Sequence, residues 1–291
     1  RSEIPGGETA WSNRPDGTAE CVTKTPWGSL VARYQKGHPI KYPVTTPEDL
    51  QVLTKIWINT RYVEIPDETE RSFPRTLKAL GEDGVYLHTF HPSPLQSVLE
   101  YEMGVEKTYE LMTDCPEAFD ELMEVMSAKR AEEYAIGARR VPCEGFIAVE
   151  NTSTTLVSPG VYEKYGLPQV KGFVDAMHRH GKLAVLHMCG LLKDILPLIR
   201  QTGADAVNAL TPPTIGNTTI EQALDGLGED IIIWGAILDG AVFQNANFRK
   251  EDLWRMLDLL LTERVRKSNL LIWAPADGLP TPLDRFLAMR E

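Results

Sequence analysis

Short apolar runs separated by longer amphipathic segments dominate the chain from residue 84 onward. The apolar runs have the length of buried strands, and they predict strands at 84–90, 145–150, 182–187, 205–210, 230–237 and 269–275. The amphipathic segments predict helices at 116–138, 160–180, 190–202, 219–227 and 250–267. Continuous apolar strands that alternate with helices are typical of a parallel sheet covered on both faces.

This α/β pattern favours a single (β/α)8, TIM-type barrel over an open doubly wound sheet. The chain has 291 residues, and such a barrel typically needs about 250. Composition does not change along the chain, so we expect one domain over 1–291, with an irregular N-terminal part at 1–75 and a recognisable barrel at 76–291. The N-terminal part should contain one hairpin around Trp27 to Tyr34 and a helix that starts after Thr46. Because only six strands are clear, the first two must lie in the N-terminal third or upstream of Arg1.

Composition and charge exclude several classes of partner. No apolar run reaches the length of about 18 residues that a membrane helix needs, and the net charge of −11 argues against nucleic acid or an anionic membrane. The four cysteines have no paired spacing and no signal peptide opens the chain, so we expect a cytoplasmic protein. The start at Arg1 instead of Met suggests that a longer natural chain precedes it. No glycine-rich motif for a dinucleotide or a nucleoside triphosphate follows any predicted strand.

Candidate functional residues stand at the ends of the predicted strands, where barrel enzymes carry their active sites. They are Glu150, Asn151, His187, Cys189, Asn208, Asp239 and Asp277, with His88 and His91 in and after the first strand. We assign a substrate-binding role to His88, His91, Asn151, Asn208 and Asp239. The alternative for the two histidines is a packing or loop position. Asn208 and Asp239 would be polar residues of the pocket.

The pair His187 and Cys189 is the sharpest of these signals. The two residues are two apart, so an extended chain presents both on one face. Imidazole nitrogen and thiolate sulfur together suit zinc. The spacing is also compatible with a buried histidine beside a small apolar cysteine, because H-x-C alone is not a specific motif.

Longer segments resemble a known family. "LAVLHMCGLLKDILPLIRQTGADAVN" resembles the H-x-C-G segment of the uroporphyrinogen decarboxylase superfamily, in its branch of zinc-dependent, corrinoid-linked methyltransferases. "FIAVENTSTTLVSPGVYEKYGLPQVKGFVDAMHRHGK" is similar to the strand, "SP" loop and helix of that family, and "LLIWAPADGLPTPLDRFLAM" is similar to its closing strand and loop. The resemblance covers roughly residues 75–291. It does not include the early decarboxylase segment with its substrate-binding arginines.

The resemblance implies a metal held by His187 and Cys189. The methyltransferase branch has a third ligand, a cysteine in the closing loop, where this chain has Asp277. Asp277 could serve as an oxygen ligand, Glu150 could supply the third bond, or the metal could be lost. Without a metal, Asp277 could form the turn before Gly278 and Glu150 could bond a neighbouring loop. We expect the same two carboxylates, Glu150 and Asp277, to be catalytic.

The resemblance further implies a methyltransferase that moves a methyl group between a small-molecule donor or acceptor and the cobalamin of a corrinoid protein. A carboxylate in place of one thiolate makes zinc a harder Lewis acid towards oxygen. This favours O-demethylation of a methoxylated aromatic compound. The alternatives are a metal-free decarboxylase of a porphyrinogen-like polyacid, or a barrel that binds a corrinoid or another ligand without turnover. A homodimer would be common in the family.

Overall fold

The computed structural model of the protein describes residues 2–63, 75, 77–213, 216–235, 247–272 and 282–290. Within these ranges the chain is an α/β protein with a six-stranded parallel sheet and a separate antiparallel sheet. No helix in the described ranges has both the length and the apolar character needed to span a bilayer.

The N-terminal residues form strands that lie outside the parallel sheet. These strands are β1 (Ser2–Glu3), β2 (Glu8–Asn13), β3 (Ala19–Thr25), β4 (Gly28–Gln35) and β5 (His38–Lys41). Strands β2 to β5 pair as an antiparallel meander in chain order. The predicted hairpin corresponds to β3 and β4, which face each other up to the pair Thr25 and Gly28. An N-terminal part that lies outside the parallel sheet agrees with the prediction.

The first helix, α1 (Pro47–Asn59), begins where the sequence predicts. The Thr46 hydroxyl accepts a hydrogen bond from the Asp49 amide at 3.1 Å, and the Asp49 carboxylate accepts one from the Thr46 amide at 3.1 Å. This reciprocal pair satisfies two amides that a helix start leaves without partners. A two-residue strand, β6 (Arg61–Tyr62), follows and pairs with β1.

All six predicted strands of the parallel sheet are present. They are β7 (Leu87–Phe90), β8 (Gly145–Val149), β9 (Leu183–His187), β10 (Ala206–Leu210), β11 (Ile232–Gly235) and β12 (Leu270–Ile272). Their order in the sheet is β12-β11-β10-β9-β8-β7. Every residue of β10 is buried, as expected for a strand covered on both faces. Residues 236, 237 and 273–275 of the last two predicted strands lie outside the described residues.

Helices connect and follow these strands. They are α2 (Pro94–Ser97), α3 (Gly104–Asp114), α4 (Pro116–Arg140), α5 (Pro159–Val161), α6 (Leu167–Arg179), α7 (Leu196–Gln201), α8 (Ile220–Leu227), α9 (Lys250–Leu260), α10 (Glu263–Lys267) and α11 (Leu283–Arg290). Two π-helical turns, Val98–Glu102 and Tyr162–Gly166, and one 3₁₀ turn, Lys193–Ile195, complete the described elements.

Three predicted helices differ from the structure. The segment 160–180 is interrupted by the π-helical turn Tyr162–Gly166, where the Tyr162 ring would lie 2.5 Å from a Cβ at Gly166. The segment 190–202 becomes helical only at Lys193, because side chains elsewhere in the chain hold the preceding amides. The segment 250–267 divides at Thr262, whose hydroxyl caps the second piece.

The chain forms two compact units. The first comprises residues 1–146 and 175–182, and the second comprises residues 147–174 and 183–291. In the first unit α1 packs against α4 and against β4. In the second, β9, β10, β11 and β12 are parallel neighbours.

Candidate functional site

The loops that follow β8 and β9 meet in the second unit. The amides of Glu150 and Asn151, directly after β8, both donate hydrogen bonds to the His187 carbonyl, at 2.9 and 3.1 Å. Asn151 has a φ of 43°, in the left-handed region that asparagine tolerates better than most residues. This conformation turns the chain out of the strand while its amide stays bonded to the end of β9.

His187 also contacts the next strand through its side chain. Its Nδ1 lies 2.6 Å from the Asn208 Oδ1. Asn208 stands opposite His187 in the register of β9 and β10, and it is 3% exposed. The imidazole itself is partly buried. The end of β9 is thus hydrogen-bonded to both of its neighbours. Its backbone contacts the loop that follows β8, and its histidine side chain contacts β10.

Cys189 lies on the surface of the second unit, two residues beyond His187. Its thiol donates to the Asn151 Oδ1 at a sulfur–oxygen distance of 3.3 Å. The thiol therefore points towards the loop that follows β8. Asn151 is accordingly a contact of the candidate metal ligand Cys189.

Gly190 allows the two loops to approach each other closely. A Cβ at this position would lie 2.6 Å from the Ser153 Cβ and 2.7 Å from the Thr152 carbonyl oxygen. Next along the chain, the Leu191 amide donates to the Ser153 hydroxyl at 3.2 Å, and the Leu191 carbonyl accepts from both the amide and the hydroxyl of Thr154 at 3.0 Å. These contacts explain why glycine follows the cysteine, and why Cys189 is held in place although it is exposed.

Glu150 is the buried acid of this region. The residue is 2% exposed, and Tyr162, at the start of the π-helical turn, is 1% exposed. Burial raises the pKa of the Tyr162 phenol far above its ordinary value, and the nearby Glu150 charge raises it further. In the part of the chain that the structure describes, the Tyr162 hydroxyl has no hydrogen-bond partner. Tyr162 was not predicted as a site residue, because an aromatic residue in an amphipathic segment indicates a position in the hydrophobic core.

Two further side chains in the region escaped prediction. The Ser153 hydroxyl binds the Leu191 amide, and the Asn217 Oδ1 accepts from the amides of Leu192 and Lys193 at 2.9 and 3.2 Å. Their roles depend on contacts between segments that are 24 or more residues apart. Only the "NTS" and "GNTT" turns that contain them could have drawn attention to these residues.

The donor chemistry of His187 and Cys189 fits a divalent ion of borderline softness. Both donors come from the end of one strand, and neither side chain is fully buried. No group of three or more His, Cys, Asp or Glu that could hold a metal occurs in the described ranges. The proposed third ligand Asp277 lies outside the described residues, as does the candidate Asp239. Glu150 directly follows β8, which is the neighbour of β9 in the sheet.

The two predicted histidines His88 and His91 belong to the first unit. The His88 ring packs edge-on against Phe146 with 5.7 Å between ring centroids, and burial lowers its pKa. The Nδ1 of His91 lies 3.0 Å from the Glu133 carboxylate. Burial alone would raise the pKa of Glu133, but the His91 hydrogen bond and the Arg130 guanidinium bring it below its ordinary value. Both histidines thus have structural contacts, and their role in binding substrate stays a prediction.

Comparisons with known proteins place the chain in a family. The family model for uroporphyrinogen decarboxylase (URO-D) matches residues 30–284. A methyltransferase from Methanosarcina mazei has a similar structure, with a TM-score of 0.58 and 13% sequence identity, over 89% of this chain and 70% of that chain. A protein from Coccidioides immitis, proposed to be a fructose-1,6-biphosphate aldolase, matches 73% of this chain and 87% of its own, with 12% identity and a TM-score of only 0.29. No curated protein matches the chain in sequence. Since the family model covers most of the chain, this protein belongs to the uroporphyrinogen decarboxylase family.

Proposed function

We propose that this protein is a metal-dependent methyltransferase that moves a methyl group between a small substrate and the cobalamin of a corrinoid protein. The observation that carries the proposal is the pair His187 and Cys189 at one strand end, each in contact with an asparagine side chain. The Methanosarcina protein of similar fold is described as a methyltransferase, which agrees with this function. We also propose that the six described strands belong to a closed (β/α)8 barrel, with the candidate site at the carboxyl ends of its strands.

The ligands of the ion would be the His187 imidazole, the Cys189 thiolate and a carboxylate from Asp277 or Glu150. Catalytic zinc sites usually have three protein ligands and one open position. When bound, the ion would supply Lewis acidity towards an oxygen atom of the substrate. The remaining one of the two carboxylates would be available to hold or release a proton beside the substrate.

A carboxylate ligand supports a substrate with an oxygen leaving group. Two thiolates and a histidine make zinc poorly electrophilic, whereas one thiolate, one histidine and one carboxylate make it harder. We therefore propose O-demethylation of a methoxylated aromatic compound, with the methyl group passing to cob(I)alamin. The methyl group leaves its ether oxygen with the electron pair of the broken bond remaining on that oxygen.

The family itself supports a second candidate, a metal-free decarboxylase. The family model that matches residues 30–284 is named for a decarboxylase. In this case Glu150 would manage a proton, and neither His187 nor Cys189 would need an ion. The two candidates differ in whether activity depends on the metal.

One experiment tests the proposal. Purified wild-type protein is reconstituted with Zn²⁺, analysed for bound metal, and assayed with a corrinoid protein, a reductant and a methoxybenzoate. We expect about one zinc per chain and formation of methylcobalamin. His187→Ala and Cys189→Ser should each lose metal and activity, because each removes one donor. Cys115→Ser is the matched control, since Cys115 lies between α3 and α4 and should leave both measurements unchanged.

Each outcome decides a different part of the proposal. If the double variant of His187 and Cys189 keeps a full complement of zinc, the metal site is wrong. If metal-free wild-type protein decarboxylates a porphyrinogen, the second candidate is correct. If the wild type methylates a thiol and leaves every methoxylated compound unchanged, the metal site stands and the substrate class is wrong.

A further inference from the structure

The side chain of Asn208 is held between two neighbouring strands. Its Oδ1 lies 2.6 Å from the His187 Nδ1 on β9, and its Nδ2 lies 3.5 Å from the Trp234 carbonyl oxygen on β11. The residue is 3% exposed. The amide is therefore buried and in contact with both neighbouring strands. The substrate-binding role that the sequence suggests stays a prediction.

The contact with the Trp234 carbonyl favours one orientation of the amide. A backbone carbonyl only accepts hydrogen bonds, so the group nearest the Trp234 carbonyl must be the NH2 group, which only donates. The amide oxygen is then directed at the His187 Nδ1. The opposite orientation would bring the Asn208 oxygen against the Trp234 carbonyl oxygen, with two acceptors in contact and no proton between them.

The orientation of the amide sets the proton on the imidazole. An amide oxygen can only accept, so the His187 Nδ1 must carry the hydrogen. In the neutral ring the other nitrogen, Nε2, then carries the lone pair. A histidine ligand is commonly fixed in this manner, through a partner that accepts from its other nitrogen.

The backbone is irregular directly after Asn208. Ala209, the next residue, has a φ of 66° and is 1% exposed. The left-handed conformation is strained for an alanine, because its Cβ approaches the following carbonyl oxygen. The register between β10 and β11 shifts between Asn208 and Leu210, and Gly235 has no room for a Cβ, which would lie 2.7 Å from the Leu210 carbonyl oxygen. Bulges of this kind redirect side chains and often stand beside active sites.

We infer that Asn208 is a positioning residue that holds His187 in the tautomer with the proton on Nδ1, so that Nε2 offers its lone pair to the metal ion. The part that concerns the ion rests on the proposed function, whereas the tautomer itself does not. Loss of such a partner typically weakens metal binding about 10- to 100-fold.

The test combines a spectroscopic and a binding measurement on the full chain. Protein labelled with ¹⁵N in its histidine rings is studied by NMR without metal, and His187→Gln identifies the His187 signals among the six histidines. Zn²⁺ affinity is measured by competition with a chelator. The variants are Asn208→Ala, which removes the acceptor, and Asn208→Asp, which keeps an acceptor oxygen. Thr202→Ala is the control, since it removes another buried hydrogen bond of the second unit, from the Thr202 hydroxyl to the Ile199 carbonyl.

We expect the wild type to have its pyridine-type nitrogen at Nε2. Asn208→Ala should populate the other tautomer and weaken Zn²⁺ binding about 10- to 100-fold, whereas Asn208→Asp should restore both properties. Thr202→Ala should lower stability without changing either property. The inference is overturned if the wild type carries its proton on Nε2. It is also overturned if the wild type binds Zn²⁺ and Asn208→Ala binds it no more weakly than Thr202→Ala does. If the wild type binds no Zn²⁺ and still has the expected tautomer, the proposed metal function fails and the positioning of His187 stands.

Discussion

Two glycines of the second unit should respond oppositely to the same substitution. Gly190 lies between Cys189 and the β8 loop, and an added Cβ would lie 2.6 Å from the Ser153 Cβ and 2.7 Å from the Thr152 carbonyl oxygen. Gly172 lies on an exposed face inside α6, and no atom would lie within 4 Å of its added Cβ. Neither glycine has a positive φ, so backbone strain does not enter the comparison.

The magnitude follows from these contacts. Carbon atoms in good contact are about 3.5–4.0 Å apart, so Gly190→Ala requires the β8 loop to move by roughly an ångström. Overpacking of this kind costs about 1–3 kcal/mol. Gly172→Ala should instead stabilise the helix by about 0.8–1.0 kcal/mol. Because both changes restrict the unfolded chain equally, that contribution cancels, and the free energies of unfolding should differ by about 2–4 kcal/mol.

Urea unfolding of the two variants measures this difference, and Zn²⁺ competition measures the consequence for the site. Gly190→Ala should also weaken Zn²⁺ binding, since movement of the loop displaces Cys189 from Asn151. Gly172→Ala should bind as the wild type does. If Gly190→Ala is as stable as Gly172→Ala and binds Zn²⁺ equally well, the close approach of the two loops does not hold the cysteine in place.

Two further predictions concern the Glu102 carboxyl and the Tyr162 phenol, which both lie outside the ligand pair. Burial raises the pKa of Glu102 to about 7, against the opposing effect of Arg130, so the folded state keeps a proton that the unfolded state loses above pH 4.5. The free energy of unfolding should therefore fall by up to about 3 kcal/mol between pH 4.5 and 7. Glu102→Gln should remove this fall, which urea titrations at several pH values measure. If wild type and variant lose stability in parallel as the pH rises, the prediction is wrong. Tyr162→Phe should raise the free energy of unfolding by up to about 1–3 kcal/mol, because the buried phenol has no partner within the described ranges. A loss of more than about 1 kcal/mol in the same urea assay would mean that this hydroxyl has a partner.

The sequence predicts the sheet better than the connections around it. Strands β8, β9 and β10 lie within one residue of their predicted bounds, because continuous apolar runs are a strong local signal. The same signal places Glu150, Asn151, His187 and Cys189 at neighbouring strand ends and Asn208 within the next strand. Hydrophobic periodicity does not distinguish an α-helical turn from the π-helical turn Tyr162–Gly166, because five residues are too few for the different period to show in the sequence.

Long-range side-chain contacts account for the other differences. Residues 190–192 have an apolar pattern that suits a helix. However, the amides of Leu191 and Leu192 donate hydrogen bonds to the side chains of Ser153 and Asn217. The tautomer of His187 depends on an amide that is 21 residues further along the chain. Such contacts are set by the fold and have no local signature. Asp239 and Asp277 lie outside the described residues, and their roles stay predictions.

The His187 carbonyl oxygen accepts two hydrogen bonds, and this has a consequence for protein engineering. The hydrogen bonds come from the amides of Glu150 and Asn151. Further along the same loop, Leu191 forms hydrogen bonds with Ser153 and Thr154. A transplant of the H-x-C-G segment alone into a related sheet would leave these partners behind. The smallest portable module is therefore a pair of loops, residues 150–154 and 187–193, moved together with the asparagine of the adjoining strand.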